Sequence, residues 1–252
     1  MHIDLNCDLG ESFGRYTLGD DAAMLRLVTS ANVACGFHAG DPAVMARTVA
    51  LAAERGVAVG AHPGYPDLQG FGRRTLALAP EELRAVLLYQ IGALAAFARA
   101  SSVELAHVKP HGALYNLAAH DEAVAATVAE SVAAFSRDLV VFTLPGSALA
   151  RAAVACGLRV AREGFADRAY REDGRLVPRS EPGAVLHDPA QIAARAARLV
   201  TRGEVEAITG TVIPLAVETL CVHGDTPGAV QIAAEVRAAL EAAGVTLAAI
   251  RH

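Results

Sequence analysis

The segments of this chain that read as β-strands carry two different faces, although helices separate them. In residues 3–8, Ile3, Leu5 and Cys7 alternate with Asp4, Asn6 and Asp8. Side chains alternate sides along a strand, so one face is apolar and the other polar. In 57–62, Val57 and Val59 oppose Ala58, Gly60 and His62. In 104–111, Ala106 and Val108 oppose His107, Lys109 and His111. In 218–223, Leu220 and Val222 oppose Thr219, Cys221 and His223. An antiparallel sheet could leave its polar face in water. Strands joined through helices are parallel, and parallel sheets are covered on both sides. A closed barrel resolves the conflict: apolar faces meet the helices and polar faces line the interior.

The rest of the chain keeps the same rhythm. Asp41 and Pro42 start a helix over 42–55 that Gly56 closes, with Met45, Val49 and Ala52 as its apolar stripe. The flanking strands, 29–36 and 57–62, run toward His38 and His62. Asp20 caps a helix over 21–28, Pro80 opens one running to about Arg99, and Asp121 caps one to about Ser136. Strand 139–144, a helix from Ser147 to Gly157 and strand 158–163 follow. Asp188-Pro189 and Thr226-Pro227 open two further helices, ending near Gly203 and Ala243, and 246–250 reads as the last strand. Residues 164–187 break the pattern as a lid-like excursion with a small hairpin around Gly174, and 204–217 carry no clear signal. Seven or eight strands alternating with helices, without a linker, predict one α/β domain over 1–252, a TIM-like (β/α)7–8 barrel; an open doubly wound sheet ranks second. No G-x-G-x-x-G follows a strand and no G-x-x-x-x-G-K-[ST] occurs, which argues against a nucleotide-binding open sheet.

Composition removes several functions. A net charge of −5 without a Lys/Arg cluster, and 5% aromatics without Trp, argue against a nucleic-acid partner. The N-terminus MHIDLNCDLGE has no signal-peptide pattern, and no uninterrupted apolar run reaches membrane-spanning length, so neither secretion nor a membrane is expected. Cys7, Cys35, Cys156 and Cys221 are scattered, as reduced thiols of a cytoplasmic protein would be.

In a barrel, Asp8, His38, His62, His111 and His223 converge where strands end, at the face that carries active sites in such folds. Four imidazoles and a carboxylate at one rim predict a functional site.

The stretches NCDLGESFG (6–14), NVACGFHAGDP (32–42), GAHPGYPDLQGFGRR (60–74), VKPHGALYN (108–116), GFADRAY (164–170) and CVHGDTPGAV (221–230) resemble the LamB/YcsF family, the A subunits of 5-oxoprolinases. They span nearly the whole chain, in order. The resemblance implies a barrel related to polysaccharide deacetylases. It also implies a role in the ATP-dependent opening of 5-oxoproline to L-glutamate, together with two partner subunits.

Opening an activated lactam calls for a base, an oxyanion stabiliser and an anion-tolerant pocket. Asp8 is the candidate general base or water orienter, since a carboxylate inside a barrel can have the raised pKa that suits a base. His62 and His111 are candidates for proton transfer or oxyanion contact, and Lys109 for holding a substrate carboxylate or phosphate. The helix N-terminus at Asp41-Pro42 is a candidate anion site. Arg73, Tyr115 and Asp225 are loop candidates for substrate contact, with Arg74 a solvated loop charge; Asn6 and Glu11 support Asp8, and His38 and His223 complete the substrate set. Asp8, His38, His62 and His111 are also acceptable zinc or manganese ligands, though without a His-x-x-x-His spacing. ATP, with Mg, is expected at the partners, because this chain has no phosphate-binding loop. The competing readings are a metal-dependent deacetylase and a non-catalytic substrate-binding subunit.

Overall fold

The structure, a computed structural model, describes residues 1–250. In chain order its elements are β1 (His2–Leu9), α1 (Asp21–Met24), β2 (Ser30–Ala34), α2 (Pro42–Glu54), β3 (Ala58–His62), α3 (Pro80–Ala100), β4 (Leu105–Val108), α4 (Gly112–Ala118) and α5 (Glu122–Phe135). These are followed by β5 (Val140–Thr143), α6 (Ala148–Ala155), β6 (Arg159–Phe165), α7 (Pro189–Arg202), β7 (Glu204–Glu206), β8 (Val212–Pro214), β9 (Thr219–Cys221), α8 (Ala229–Ala242) and β10 (Thr246–Leu247). Strands β1 to β6 and β9 pair in parallel in that order, and β9 returns to β1. The barrel therefore closes with seven strands. β7 and β8 form a separate antiparallel pair in the stretch that carried no clear signal.

Side-chain caps set most helix starts. Asp41 accepts from the N–H groups of Ala43 and Val44, Asp121 from Ala123 and Val124, Ser147 from Ala150 and Asp188 from Gln191. Several expected boundaries move. The helix after Asp20 ends at Met24. The strand expected through His111 stops at Val108, and His111 instead precedes α4, a helix that periodicity does not announce. Thr226-Pro227 does not open α8; Gly228, at φ 80°, does. β6 runs two residues further than expected, to Phe165. The Gly174 hairpin is reduced to isolated bridges, Tyr170 to Leu176 and Arg168 to Val185. The last strand is shortened to Thr246–Leu247, and it extends the edge of β1 at its start.

The apolar face of each strand packs against the helices. Ile3, Leu5, Val59, Val108 and Leu220 join one buried cluster with Leu87, Ile91, Leu199 and Ile232. Burying each such side chain stabilises the fold by about 1.5–3 kcal/mol. Helix α3 is long and apolar enough to cross a membrane, yet its Leu83, Leu87, Ile91 and Leu94 face the barrel. Its buried Gln90 bonds both the N–H and the C=O of Gly64, fixing the loop after β3. A second, small cluster of Val140, Phe142 and Ala161, with Ile250 against it, lies apart from the first.

One glycine is required by the lumen. A Cβ on Gly60 would lie 2.1 Å from Nε2 of His107, and the β3–β4 register shifts at this point. Gly60→Ala is expected to push the His107 ring from its bond to Asn32 and to cost about 1–3 kcal/mol. Chemical denaturation checks this; unchanged stability would mean that His107 has room to move.

Candidate active site at the barrel mouth

Alternation along seven strands gathers ionisable groups in the lumen, and they form a continuous network. Lys109 is 2% exposed. Its Nζ lies 3.0 Å from Asp8 Oδ1 and 2.8 Å from Glu163 Oε1, and donates to Asn6 Oδ1 at 3.3 Å and Cys221 Sγ at 3.0 Å. Asn32 donates to Asn6 Oδ1 and to Asp8 Oδ1, and its own oxygen meets His107 Nε2 at 2.7 Å. Asp8 Oδ1 is thus fully engaged. Asp8 Oδ2 faces His62 Nε2 at 3.4 Å and borders a cavity of about 40 Å³ that Glu11, His111 and His223 also line.

The imidazoles sit above this network. His62 Nδ1 lies 2.7 Å from the Lys109 carbonyl, His62 Nε2 lies 2.9 Å from His111 Nδ1, and His111 Nε2 lies 2.8 Å from the Phe71 carbonyl. His38 stacks on His111 with ring centres 3.7 Å apart. Glu11 Oε1 lies 3.9 Å from His38 Nε2 and 3.8 Å from His111 Nδ1. Backbone closes tightly around this group: Gly72 has φ 63°, and a Cβ there would meet His38 and His111 at 2.7 and 2.8 Å.

Burial and neighbouring charge set the protonation states. Burial alone would raise the Asp8 carboxyl, but His62 and Lys109 outweigh it and hold it well below the usual carboxylate range. The expected raised pKa of Asp8 is therefore corrected: it is a locked anion. Burial works against the Lys109 charge, yet Asp8, Cys221 and Glu163 keep the ammonium form far above its ordinary range. Burial, then the neighbouring imidazoles, lower His38 and His111 and keep both neutral. Burial, then Glu163, push the Tyr115 phenol up.

Deeper in the lumen, Asp4 accepts hydroxyl bonds from Thr29, Ser30 and Thr219. Burial outweighs those bonds and raises its pKa to about 6. A carboxyl raised on folding contributes stability below its unfolded pKa of roughly 4, and that contribution disappears as pH climbs through the folded value; the span is about 3 kcal/mol. Asp4→Asn should therefore flatten the stability profile between about pH 4 and pH 7. An unchanged slope in denaturation midpoints would discharge Asp4 from that role.

The structure brings Asn6, Asp8, Glu11, His38, His62, Lys109, His111 and Tyr115 to one place. Arg73 and Asp225 pair at 2.5 Å across the mouth. Three expectations are corrected. Lys109 does not wait for a substrate anion, because Asp8 and Glu163 already hold it. The α2 N-terminus is no anion site, because the Asp41 carboxylate occupies its N–H groups. In the candidate metal set, Glu11 joins His38, His62 and His111, while Asp8 groups with Cys221 and His223. Arg74 is solvated, as expected of a loop charge, and pairs with the buried Asp67.

Sequence reading missed Asn32, Glu163, Asp167, Arg168 and Arg179. Asn32 and Glu163 were signalled by the same alternation, Ser30-Asn32-Ala34 and Ala161-Glu163-Phe165. Asp167 accepts from His223 Nδ1 at 2.8 Å and is held below its usual range chiefly by that partner against the effect of burial. Beside the mouth lies a cleft of about 760 Å³ walled by Arg73, Arg168, Arg171, Arg175 and Arg179. Arg171 and Arg175 pair with Glu181 and Asp173. Arg168, 4% exposed, donates among the described residues only to the Ala184 and Val177 carbonyls. Burial and then Arg179 lower it to about 10, so it stays charged. Arg179 makes no ion pair among the described residues, and both arginines line the mouth as well as the cleft.

A sequence model described as the LamB/YcsF family matches residues 3–252. The A subunit of a 5-oxoprolinase from Symbiobacterium thermophilum is 60% identical over 247 residues, which is 98% of this chain and 95% of that one. A protein of the same name from Pyrococcus abyssi is 56% identical over 251 residues, covering 100% and 98%. The crystal structure of a lactam utilization protein from Thermus thermophilus superposes with a TM-score of 0.94 at 50% identity, covering 99% of this chain and 100% of that one.

Proposed function

This chain belongs to the LamB/YcsF family, and we propose that it is the A subunit of a 5-oxoprolinase whose barrel mouth opens the lactam of 5-oxoproline by hydrolysis. One observation carries the reading. Asp8 presents a single free carboxylate oxygen to a small cavity ringed by imidazoles, while its other oxygen is locked by Lys109 and Asn32.

That geometry supports a division of labour. Asp8 Oδ2, its direction fixed by Lys109 and Asn32, orients the attacking water and receives its proton as the oxygen bonds the activated carbon and that proton becomes strongly acidic. The proton passes to the ring nitrogen as the C–N bond breaks and phosphate leaves. His62 and His111 line the same cavity. The substrate's anionic part lies toward the cleft, where Arg168 and Arg179 make no close ion pair among the described residues. ATP acts at the partner subunits, two in number, by phosphorylating the lactam carbonyl, and the complex works in the cytoplasm. Mg accompanies the nucleotide there. The second-ranked reading, a metal-dependent deacetylase, predicts acetate release from N-acetyl sugars without partners or ATP.

The test is glutamate release by this chain on its own, with partners, and with partners plus ATP. Activity only in the third arm supports the proposal; ATP turnover by this chain on its own contradicts it. Within the reconstituted complex, Arg179→Ala should raise KM about ten- to a hundredfold, corresponding to a charge-assisted bond of about 1.5–3 kcal/mol, and leave kcat within a few-fold. An unchanged KM would move substrate recognition away from the cleft.

A further inference from the structure

We propose that Glu11, His38, His62 and His111 form a binding site for one divalent first-row transition metal ion of the zinc class. Each offers one donor atom, and the four atoms all lie within 4.8 Å of one another in a fully buried setting. Proximity alone would carry little. Two further observations point to a cation.

The first is a conflict of lone pairs. A carbonyl oxygen only accepts hydrogen bonds. The Lys109 carbonyl therefore places the His62 proton on Nδ1, and the Phe71 carbonyl places the His111 proton on Nε2. The two remaining nitrogens, His62 Nε2 and His111 Nδ1, then face each other at 2.9 Å with a lone pair on each. A positive centre, either a proton held on His62 Nε2 beside Asp8 or a metal ion, has to hold that arrangement. A metal ion drawn in from the Glu11 side satisfies both lone pairs at once. Metal-ligating histidines characteristically give their other N–H to a carbonyl or carboxylate, which orients the ring. His62 and His111 both do so.

The second observation is His38. It is 0% exposed, and neither ring nitrogen has a hydrogen-bond partner among the described residues. Its Nε2 is 3.9 Å from Glu11 Oε1, so it is aimed into the cluster. A buried unsatisfied nitrogen costs about 1–3 kcal/mol, which coordination would offset. Three imidazoles and one carboxylate suit zinc and its first-row neighbours. They do not suit magnesium or calcium, which take oxygen ligands. An ion held there would adjoin the free oxygen of Asp8, where its chemistry would be that of a Lewis acid. The site does not depend on the lactam reaction, since it rests on the side chains alone.

The test uses the whole chain, purified without chelators or an immobilised-metal column and assayed for metal by mass spectrometry. The expected result is about one zinc-class ion per chain. Occupancy should fall at least about tenfold in His38→Ala and in the milder Glu11→Gln. Titrating metal-depleted wild-type protein with Co²⁺ should give a visible absorption band that saturates near one equivalent. This arm needs no variant and no activity. Folded wild-type protein that carries less than about a tenth of an ion and gives no cobalt band would overturn the proposal. So would imidazole NMR showing a proton shared between His62 and His111 that Co²⁺ leaves undisturbed. Loss of glutamate release with metal content intact would instead count against the proposed function.

Discussion

Asp8→Asn is expected to lower kcat for glutamate release by about 10²- to 10⁴-fold in the reconstituted complex, with little change in KM. The substitution keeps an oxygen where Oδ1 accepts from Asn32 and Lys109, so the network around it can persist. What disappears is the negative charge, and with it the only oxygen free to receive a proton. Lys109 retains Glu163 as a partner, so the ammonium is not stranded. Circular dichroism and thermal melting should therefore match the parent protein, which separates a lost base from a lost fold. If the variant turned over at more than about a tenth of the parental rate, Asp8 would orient a neighbour rather than accept the proton.

Lys109→Met is expected to act on stability first. It removes the one cation between Asp8 and Glu163, both nine-tenths buried or more. Breaking a buried pair in this way costs about 3–5 kcal/mol, because the charge left behind has no counterpart. For a domain whose total stability is of order 5–15 kcal/mol, that is a large fraction, and the melting temperature should fall by roughly 10 °C. The double variant Lys109→Met with Glu163→Gln should recover part of the loss, since one stranded carboxylate becomes neutral. A single variant as stable as the parent would show that Asp8 and Glu163 share a proton without the lysine.

Much of this arrangement was legible in the alternation of residues. Asp8, His62, Lys109 and His111 were placed on one face by counting in twos, and helices on both sides of each strand left a closed barrel as the consistent solution. Two kinds of information were not available that way. Periodicity states which face a residue occupies, not which neighbour it meets; Lys109 read as a free cation because its partner, Glu163, lies 54 positions further along the chain, on a strand whose end was set two residues short. The sign of the Asp8 shift was lost for the same reason: burial was foreseeable, whereas the opposing charges of His62 and Lys109 depend on three-dimensional packing. Arg168 and Arg179 lie in the segment that broke the rhythm, where no pattern constrained them.

That segment has one more consequence. Residues 166–188 leave the barrel after β6 and carry their own small cluster of Ala169, Val177 and Ala184, while the carboxylate and imidazoles of the proposed reaction come from the strands and from the loops after β1, β2, β3 and β4. The proposed function therefore places selectivity and reactivity in separate passages of the chain. Exchanging the loop for one with different cations should retarget the protein toward another cyclic amide while the strand-borne carboxylate stays as it is, which makes this the stretch to diversify when new substrates are sought.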